Sequence, residues 1–367
     1  MNFLDKLTQR KKKGNLRELK LVGPLIDFSS NDYLGLARCP QLTEMTLLEW
    51  KRNQGPLNGL GSTGSRLLTG NSSYAQDLEE RIAHFHGYET GTLFNCGYMA
   101  NVGLLSAIAG PANVIFFDAQ VHASMRDGMR LSRAQAFPFR HNDVEHLEKR
   151  LQNSPMHCKR FICVESIYST DGSQAPLKEI AKLADAYQAY LIVDEAHATG
   201  ILGPQGRGLV AQCILTQRVL AQVVTFGKAL GVHGAIVLGK ADLKQTLINF
   251  ATPYVYTTAL PLHSLAAIKC SYDQFPLLES KRVRLQALIN YFCKSIPSSS
   301  LTPIHSLPVA GNAAAKHAVQ LLAKRGCDVR ALLSPTVQRG SEMLRICLHA
   351  FNTFEEMAKL IEAICKK

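Results

Sequence analysis

No Cys-x-x-Cys pair occurs in this chain, and its ten cysteines stand singly from Cys39 to Cys365. With no histidine cluster at zinc-ligand spacing either, neither a metal site nor a disulfide framework is expected, and a reducing cytoplasm suits the thiols best. No stretch supplies the uninterrupted apolar residues that span a bilayer, and the basic segment from Met1 to Lys13 lacks the apolar centre of a secretion signal. The expectation is a soluble protein with no membrane contact. Aromatics make up only 7%, and the Lys and Arg residues are spread along the chain apart from Arg10-Lys11-Lys12-Lys13. The aromatic-basic stripe that suits nucleic acid is therefore missing. The glycine-rich run from Gly61 to Gly70 has neither Gly-Lys-Ser/Thr nor the strand-then-glycine order of a dinucleotide fingerprint, which leaves it as a wall beside a substrate channel. No internal repeat is visible.

What is present is length and alternation. A chain of 367 residues is enough for one large α/β domain and a smaller one. Short apolar runs at Thr92 to Phe94, Val114 to Phe117, Phe161 to Val164, Leu191 to Val193, Val223 to Phe226 and Ala235 to Leu238 alternate with helical patterns. A helix from Tyr74 to Phe85 stops at Gly87. Helical periodicity from His263 to Lys294, interrupted at Pro276, gives way to a break at Pro297-Ser298-Ser299-Ser300, and a last helix runs from Thr353 to Lys366. The spacing predicts an N-terminal arm over residues 1–39, a large domain over 40–262 and a smaller α+β domain over 263–367. The net charge of +12 fits attraction to an anionic substrate or partner as well as to nucleic acid or a membrane surface, and composition alone does not choose.

Lys228 follows an apolar strand, in Val223-Val224-Thr225-Phe226-Gly227-Lys228-Ala229-Leu230-Gly231. A lysine so placed is poorly solvated, which favours the free amine that attacks an aldehyde, so it reads as a Schiff-base lysine. The ordinary alternative is a lysine snorkelling from a strand end. Upstream, the run Leu191-Ile192-Val193 ends in Asp194, with His197 three residues on. Pyridoxal phosphate needs such a pair: a carboxylate keeps its ring nitrogen protonated, and an imidazole can reach the ring oxygen. Taken singly, Asp194 also reads as a turn or helix cap and His197 as a surface imidazole. Gly97 and Tyr98 would present backbone amides to a phosphate at a helix N-terminus, and Thr225 could add a hydroxyl. His122 follows another strand and could stack on the ring, or could simply cap a helix. In a mainly parallel sheet such groups collect beyond the carboxyl ends of strands, where Asp118, Glu165, Asp194 and Lys228 all fall.

Together the segments Asn31-Asp32-Tyr33-Leu34-Gly35-Leu36, Gly61 to Gly70, His122-Ala123-Ser124, His141-Asn142-Asp143, Asp194 to Gly200 and Thr225 to Gly231 resemble, in order and spacing, those of the α-oxoamine synthases. The resemblance runs from about Phe28 to the C-terminal helix. It implies an α/β fold-type I pyridoxal-phosphate-dependent transferase, with a mainly parallel central sheet flanked by helices and a smaller C-terminal α+β domain. It further implies Lys228 as covalent cofactor holder and proton shuttle, Asp194 at the ring nitrogen, His197 at the ring oxygen and His122 stacked on the ring. Cys96, Gly97, Tyr98, Ser169 and Thr225 complete the cofactor cradle. Thr258 matches a position that reaches the phosphate of a neighbouring subunit, hence a homodimer with shared sites. Arg345, Thr336, Asn31 and Arg17 match substrate-side positions.

The implied reaction is decarboxylative condensation of an amino acid with an acyl thioester. Phe28 to Tyr33, Phe226 and the short arm favour L-alanine and a pimeloyl thioester, on acyl carrier protein or coenzyme A, as in biotin biosynthesis. A sibling synthase using glycine with an acetyl or succinyl thioester shares the cofactor residues, and a non-catalytic basic binding protein on this scaffold is the reading from another class. Thr63, Ala75 and Leu262 depart from the family pattern in ways that bear on substrate choice.

Overall fold

The structure, a computed structural model, describes residues 3–19, 21, 23–55, 59–155, 158–297 and 300–366; Ser298 and Ser299 of the expected break lie outside them. It divides into two compact units, one of residues 34–168 and 174–279, the other of residues 1–33, 169–173 and 280–367.

Among the described residues of the larger unit, seven strands form one sheet. They are β1 (Thr90–Phe94), β2 (Val114–Asp118), β3 (Gln135–Phe139), β4 (Arg160–Glu165), β5 (Ala189–Asp194), β6 (Val219–Thr225) and β7 (Ala235–Gly239), in the spatial order β1-β7-β6-β5-β4-β2-β3. The run β6-β5-β4-β2-β3 is parallel throughout, and β7 lies antiparallel to both β6 and β1. The central strands β4, β5 and β6 are apolar and almost wholly buried, as strands covered on both faces must be. Each apolar run singled out in the sequence lies within or at the end of one of these strands. The strand β3 was not foreseen. It is the sheet edge, four of its five residues are exposed, and Pro138 sits inside its short apolar run Ala136-Phe137-Pro138-Phe139, where proline argues against a strand buried within a sheet.

The helix Ser73–His86 begins on a Ser72 side chain that accepts the Ala75 N–H, and it ends on Gly87 in the left-handed conformation (φ 79°). The helices Gly97–Ile108 and Ala123–Ser132 pack closely on one another. Gly128 makes that approach possible, since a Cβ there would sit 2.9 Å from the Asn101 carbonyl oxygen and 3.0 Å from Leu105 Cβ. Residues 263–279, assigned from sequence to the smaller domain, group with the larger unit because the helix Leu262–Gln274 packs on Pro40–Asn53 and Ser73–His86.

In the smaller unit, the strands Ile304–Pro308, Arg330–Leu332 and Met343–Cys347 form an antiparallel sheet with Met343–Cys347 in the middle. Residues 1–33 join this unit: Ile26–Asp27 pairs in parallel with Cys327–Asp328, and the Cys347 N–H donates to Phe28 O. The final helix, Phe354–Cys365, opens with a capping box between Thr353 and Glu356.

Thr63 is exposed and sits at φ 51°, a left-handed conformation that costs a β-branched residue about 1–2 kcal/mol. Allowing for the greater chain entropy of glycine, Thr63→Gly should stabilise the fold by about 0.5–1 kcal/mol. The urea midpoint measures this, and a lowered midpoint would contradict the strain.

Candidate active site

The carboxyl end of the parallel sheet gathers the chemistry. The strand β2 ends at Asp118, β4 at Glu165, β5 at Asp194 and β6 at Thr225, three residues before Lys228. These carboxylates do different work. Asp118 is fully buried and accepts the Gln120 N–H at 2.8 Å, the Asn142 N–H at 2.8 Å and His141 Nδ1 at 2.9 Å, so it braces the loops after β2 and β3. Glu165 accepts the backbone N–H of His122 at 2.5 Å and so fixes the loop that carries that imidazole.

Asp194 is only 4% exposed. Its Oδ1 accepts the Ala196 N–H at 2.8 Å, and its Oδ2 accepts Asn101 Nδ2 at 2.7 Å. The turn-bracing reading of Asp194 therefore holds for one carboxylate oxygen, while the other is turned to Asn101. His197 is buried in the turn that follows. Lys228 is half-buried, with Nζ 3.5 Å from the Thr225 hydroxyl.

His122 also serves twice. Its Nδ1 accepts the Ser124 N–H as the N-cap of Ala123–Ser132, and its ring meets Tyr98 edge-on with centroids 6.3 Å apart. Burial lowers the imidazole pKa; the Lys228 charge acts the same way, while Asp194 and Asp127 oppose it. Asp194 and Lys228 are thus both near enough for their charges to act on the His122 ring. The Tyr98 hydroxyl donates to Asp127. Thr258 is tied in through its carbonyl, which accepts Asn95 Nδ2 at 3.0 Å, and it bridges Ser65 in antiparallel fashion.

An anion cradle stands beside this group. The helix Gly97–Ile108 starts after Cys96 in an extended conformation with no side chain capping its first turn. A Cβ on Gly97 would lie 2.4 Å from Thr225 Cγ2, so only glycine lets the helix start this close to the end of β6. A phosphate suits these amides and the Thr225 hydroxyl, a protonated pyridine nitrogen suits the buried Asp194, and an aldehyde suits Lys228. The donor set fits pyridoxal phosphate. Among the described residues, no group of three or more His, Cys, Asp or Glu side chains is placed to hold a metal ion.

The remaining substrate-side candidates lie in the smaller unit and are brought together there in two pairs. Arg345 Nε donates to Ser169 O at 2.6 Å, and its Nη2 donates to Asn31 Oδ1 at 3.0 Å. Arg17 Nη2 donates to the Thr336 hydroxyl at 3.2 Å. Ser169 thus groups with Arg345, holding it through a backbone carbonyl.

The model of the aminotransferase class I and II family matches residues 23–364. The chain belongs to that family. Its fold is that of the fold-type I pyridoxal-phosphate-dependent transferases, and it is a pyridoxal-phosphate-dependent enzyme. Within the family it is similar to the 8-amino-7-oxononanoate synthase of Emericella nidulans, 41% identical over 92% of this chain and 88% of that one. The synthase of the same name from Marinobacter nauticus is 36% identical over 100% of this chain and 96% of its own. Among solved structures, the 8-amino-7-oxononanoate synthase of Francisella tularensis superposes with a TM-score of 0.80 at 30% identity, covering 93% of this chain and 96% of that one. The serine palmitoyltransferase of Sphingomonas wittichii superposes at 0.86 with 28% identity, covering 92% and 86%.

Sequence reasoning missed Asn101 and Ser124, both buried at the heart of the cluster. A signal for the first was there. An isolated amide inside Met99-Ala100-Asn101-Val102-Gly103-Leu104-Leu105 must find partners if that helix is buried. Nothing in the sequence says that the partner is Asp194.

Proposed function

We propose that the protein condenses L-alanine with a pimeloyl thioester to give 8-amino-7-oxononanoate, carbon dioxide and a free thiol, a step of biotin biosynthesis. The observation that carries this reading is its kinship with 8-amino-7-oxononanoate synthases over nearly the whole chain. The serine palmitoyltransferases share the fold at lower sequence identity.

Pyridoxal phosphate, when bound, draws electrons away from the α-carbon of an amino acid joined to it, which makes that carbon nucleophilic. The chain's residues supply the rest. Amides of Gly97 and Tyr98, the Thr225 hydroxyl and the Cys96 turn would hold the phosphate. Asp194 would keep a proton on the ring nitrogen, His197 would reach the ring oxygen and His122 would cover the ring face. Lys228 Nζ would hold the aldehyde carbon, then accept the α-proton of alanine and return it to the product carbon. Arg345, with Asn31 and Ser169 fixing its guanidinium, is the proposed carboxylate clamp, since its planar fork makes two parallel hydrogen bonds. Arg17 and Thr336 would face the acyl substrate.

We further assign a homodimer in the cytoplasm, with Thr258 serving the partner's phosphate. The Ser65–Thr258 bridge sets two segments side by side that expose Leu67, Leu68 and Tyr256, an apolar surface suited to a second copy. The net charge of +12 favours a thioester carried on an anionic donor, whether coenzyme A or an acidic carrier protein.

Purified protein with pyridoxal phosphate should release carbon dioxide and thiol from L-alanine plus a pimeloyl thioester. Preferred turnover of glycine with acetyl or succinyl thioesters, or of L-serine with a palmitoyl thioester, would overturn the assignment. Arg345→Ala should raise the KM of a carboxylate substrate by about 10- to 100-fold, the range of one charge-assisted hydrogen bond. Arg345→Lys should recover only part of this, because an ammonium restores charge without the fork. An unchanged KM in a folded Arg345→Ala protein would remove the clamp.

A further inference from the structure

The hydrogen bonds around Asp194 and His122 fix where each hydrogen lies. Asp194 Oδ2 accepts at 2.7 Å, so the Asn101 atom facing it is the NH2 group. Turning that amide over would set a carbonyl oxygen against a carboxylate. Asn101 keeps this orientation although its own Oδ1 is buried with no hydrogen-bond partner. The same Nδ2 lies 3.0 Å from Ser124 Oγ and spends its second hydrogen there. The hydroxyl accepts that hydrogen, which leaves its own available to His122 Nδ1, 2.7 Å away. Nδ1 also accepts the Ser124 backbone N–H at 3.3 Å. A backbone N–H can only donate, so a ring nitrogen that accepts it carries no hydrogen of its own, the Ser124 hydroxyl donates to it as well, and the imidazole proton belongs on Nε2.

We infer that Asn101 and Ser124 are positioning residues that lock His122 as the neutral tautomer protonated on Nε2 and, through the same relay, fix the Asp194 carboxylate. Both are almost fully buried, and the close helix packing allowed by Gly128 brings them together. The shift of His122 toward its neutral form agrees. The groups whose charges act on its ring are Asp194, Lys228 and Asp127. A neutral imidazole adds no further positive charge beside Lys228 and leaves an Nε2–H to donate. The inference rests on the cofactor reading of this site.

The test is nitrogen NMR of the full chain with labelled histidine, without and with pyridoxal phosphate, alongside equilibrium dialysis of the cofactor. In the wild type, His122 should show an unprotonated Nδ1 and a protonated Nε2 at neutral pH. Ser124→Ala should raise the His122 pKa by about one unit and let the Nδ1–H tautomer appear, and Ser124→Thr, which keeps the hydroxyl, should restore the wild-type pattern. Asn101→Ala should weaken cofactor binding about 10-fold by removing a charge-assisted bond to Asp194. A wild-type His122 protonated on Nδ1, or a Ser124→Ala spectrum identical to wild type, overturns the tautomer lock even if the cofactor binds. Unchanged affinity in folded Asn101→Ala overturns the link to Asp194. A chain with the Nε2–H pattern that binds no cofactor would sink the proposed function while leaving the lock supported.

Discussion

Lys228→Ala should lower turnover by at least about 10²–10⁴, the usual value of one positioned acid-base group. It removes the amine proposed both to hold the cofactor and to carry the α-proton. Its surroundings say why no neighbour substitutes. Thr225, 3.5 Å away, offers only a hydroxyl, and His122 holds its Nδ1 on Ser124. The cradle formed by the start of Gly97–Ile108, Thr225 and Asp194 is untouched by the substitution, so cofactor should still bind, without a covalent link. Three measurements check this: carbon dioxide release, visible absorbance after adding pyridoxal phosphate, and borohydride labelling of the peptide bearing position 228. Label and turnover retained in Lys228→Ala would remove the lysine from the reaction.

The second large effect is on stability. His86 is buried against Tyr272, whose hydroxyl lies 3.0 Å from Nε2, and burial pulls the imidazole pKa down to about 3, the Arg207 charge adding to the same direction. In the unfolded chain the ring protonates near 6.5. Between those values the unfolded state binds more protons than the folded one, so stability rises with pH across the window and falls on acidification. The full displacement corresponds to on the order of 5 kcal/mol, of which about 2 kcal/mol is lost by pH 5. His305, with a pKa pulled down to about 4 by burial, contributes in the same direction. His86→Gln keeps a polar partner for Tyr272 and removes the ionisation. Its urea midpoint should therefore fall less between pH 7 and pH 5 than that of the wild type, by an amount worth about 2 kcal/mol. Parallel pH profiles for the two proteins would rule out His86 as the source.

The legible parts of this fold are those whose cause is local. Ser72 and Gly87 bracket a helix because a hydroxyl cap and a left-handed stop act within a few residues. The strands β4, β5 and β6 show as apolar runs because both of their faces are buried. In the exposed edge strand β3, Pro138 breaks the apolar run. Residues 263–279 were placed with the smaller domain because periodicity reports that a helix forms but not which neighbour it packs on. The same limit separates Asp194 from Asp118: both end strands, but the partners of Asp118 come from loops after two different strands and turn it into a brace.

What the chain alone makes legible are the cues on which the proposed cofactor site rests: a lysine three residues beyond a strand-end threonine, and a carboxylate and imidazole in one short turn. Those relations are local, and strand geometry carries them into space unchanged. Long-range packing sets Asn101 against Asp194, 93 residues away, and against Ser124, and no local pattern announces either contact. A buried amide must pair with whatever packing places beside it, and here a glycine on the facing helix lets the helix that carries Ser124 come close.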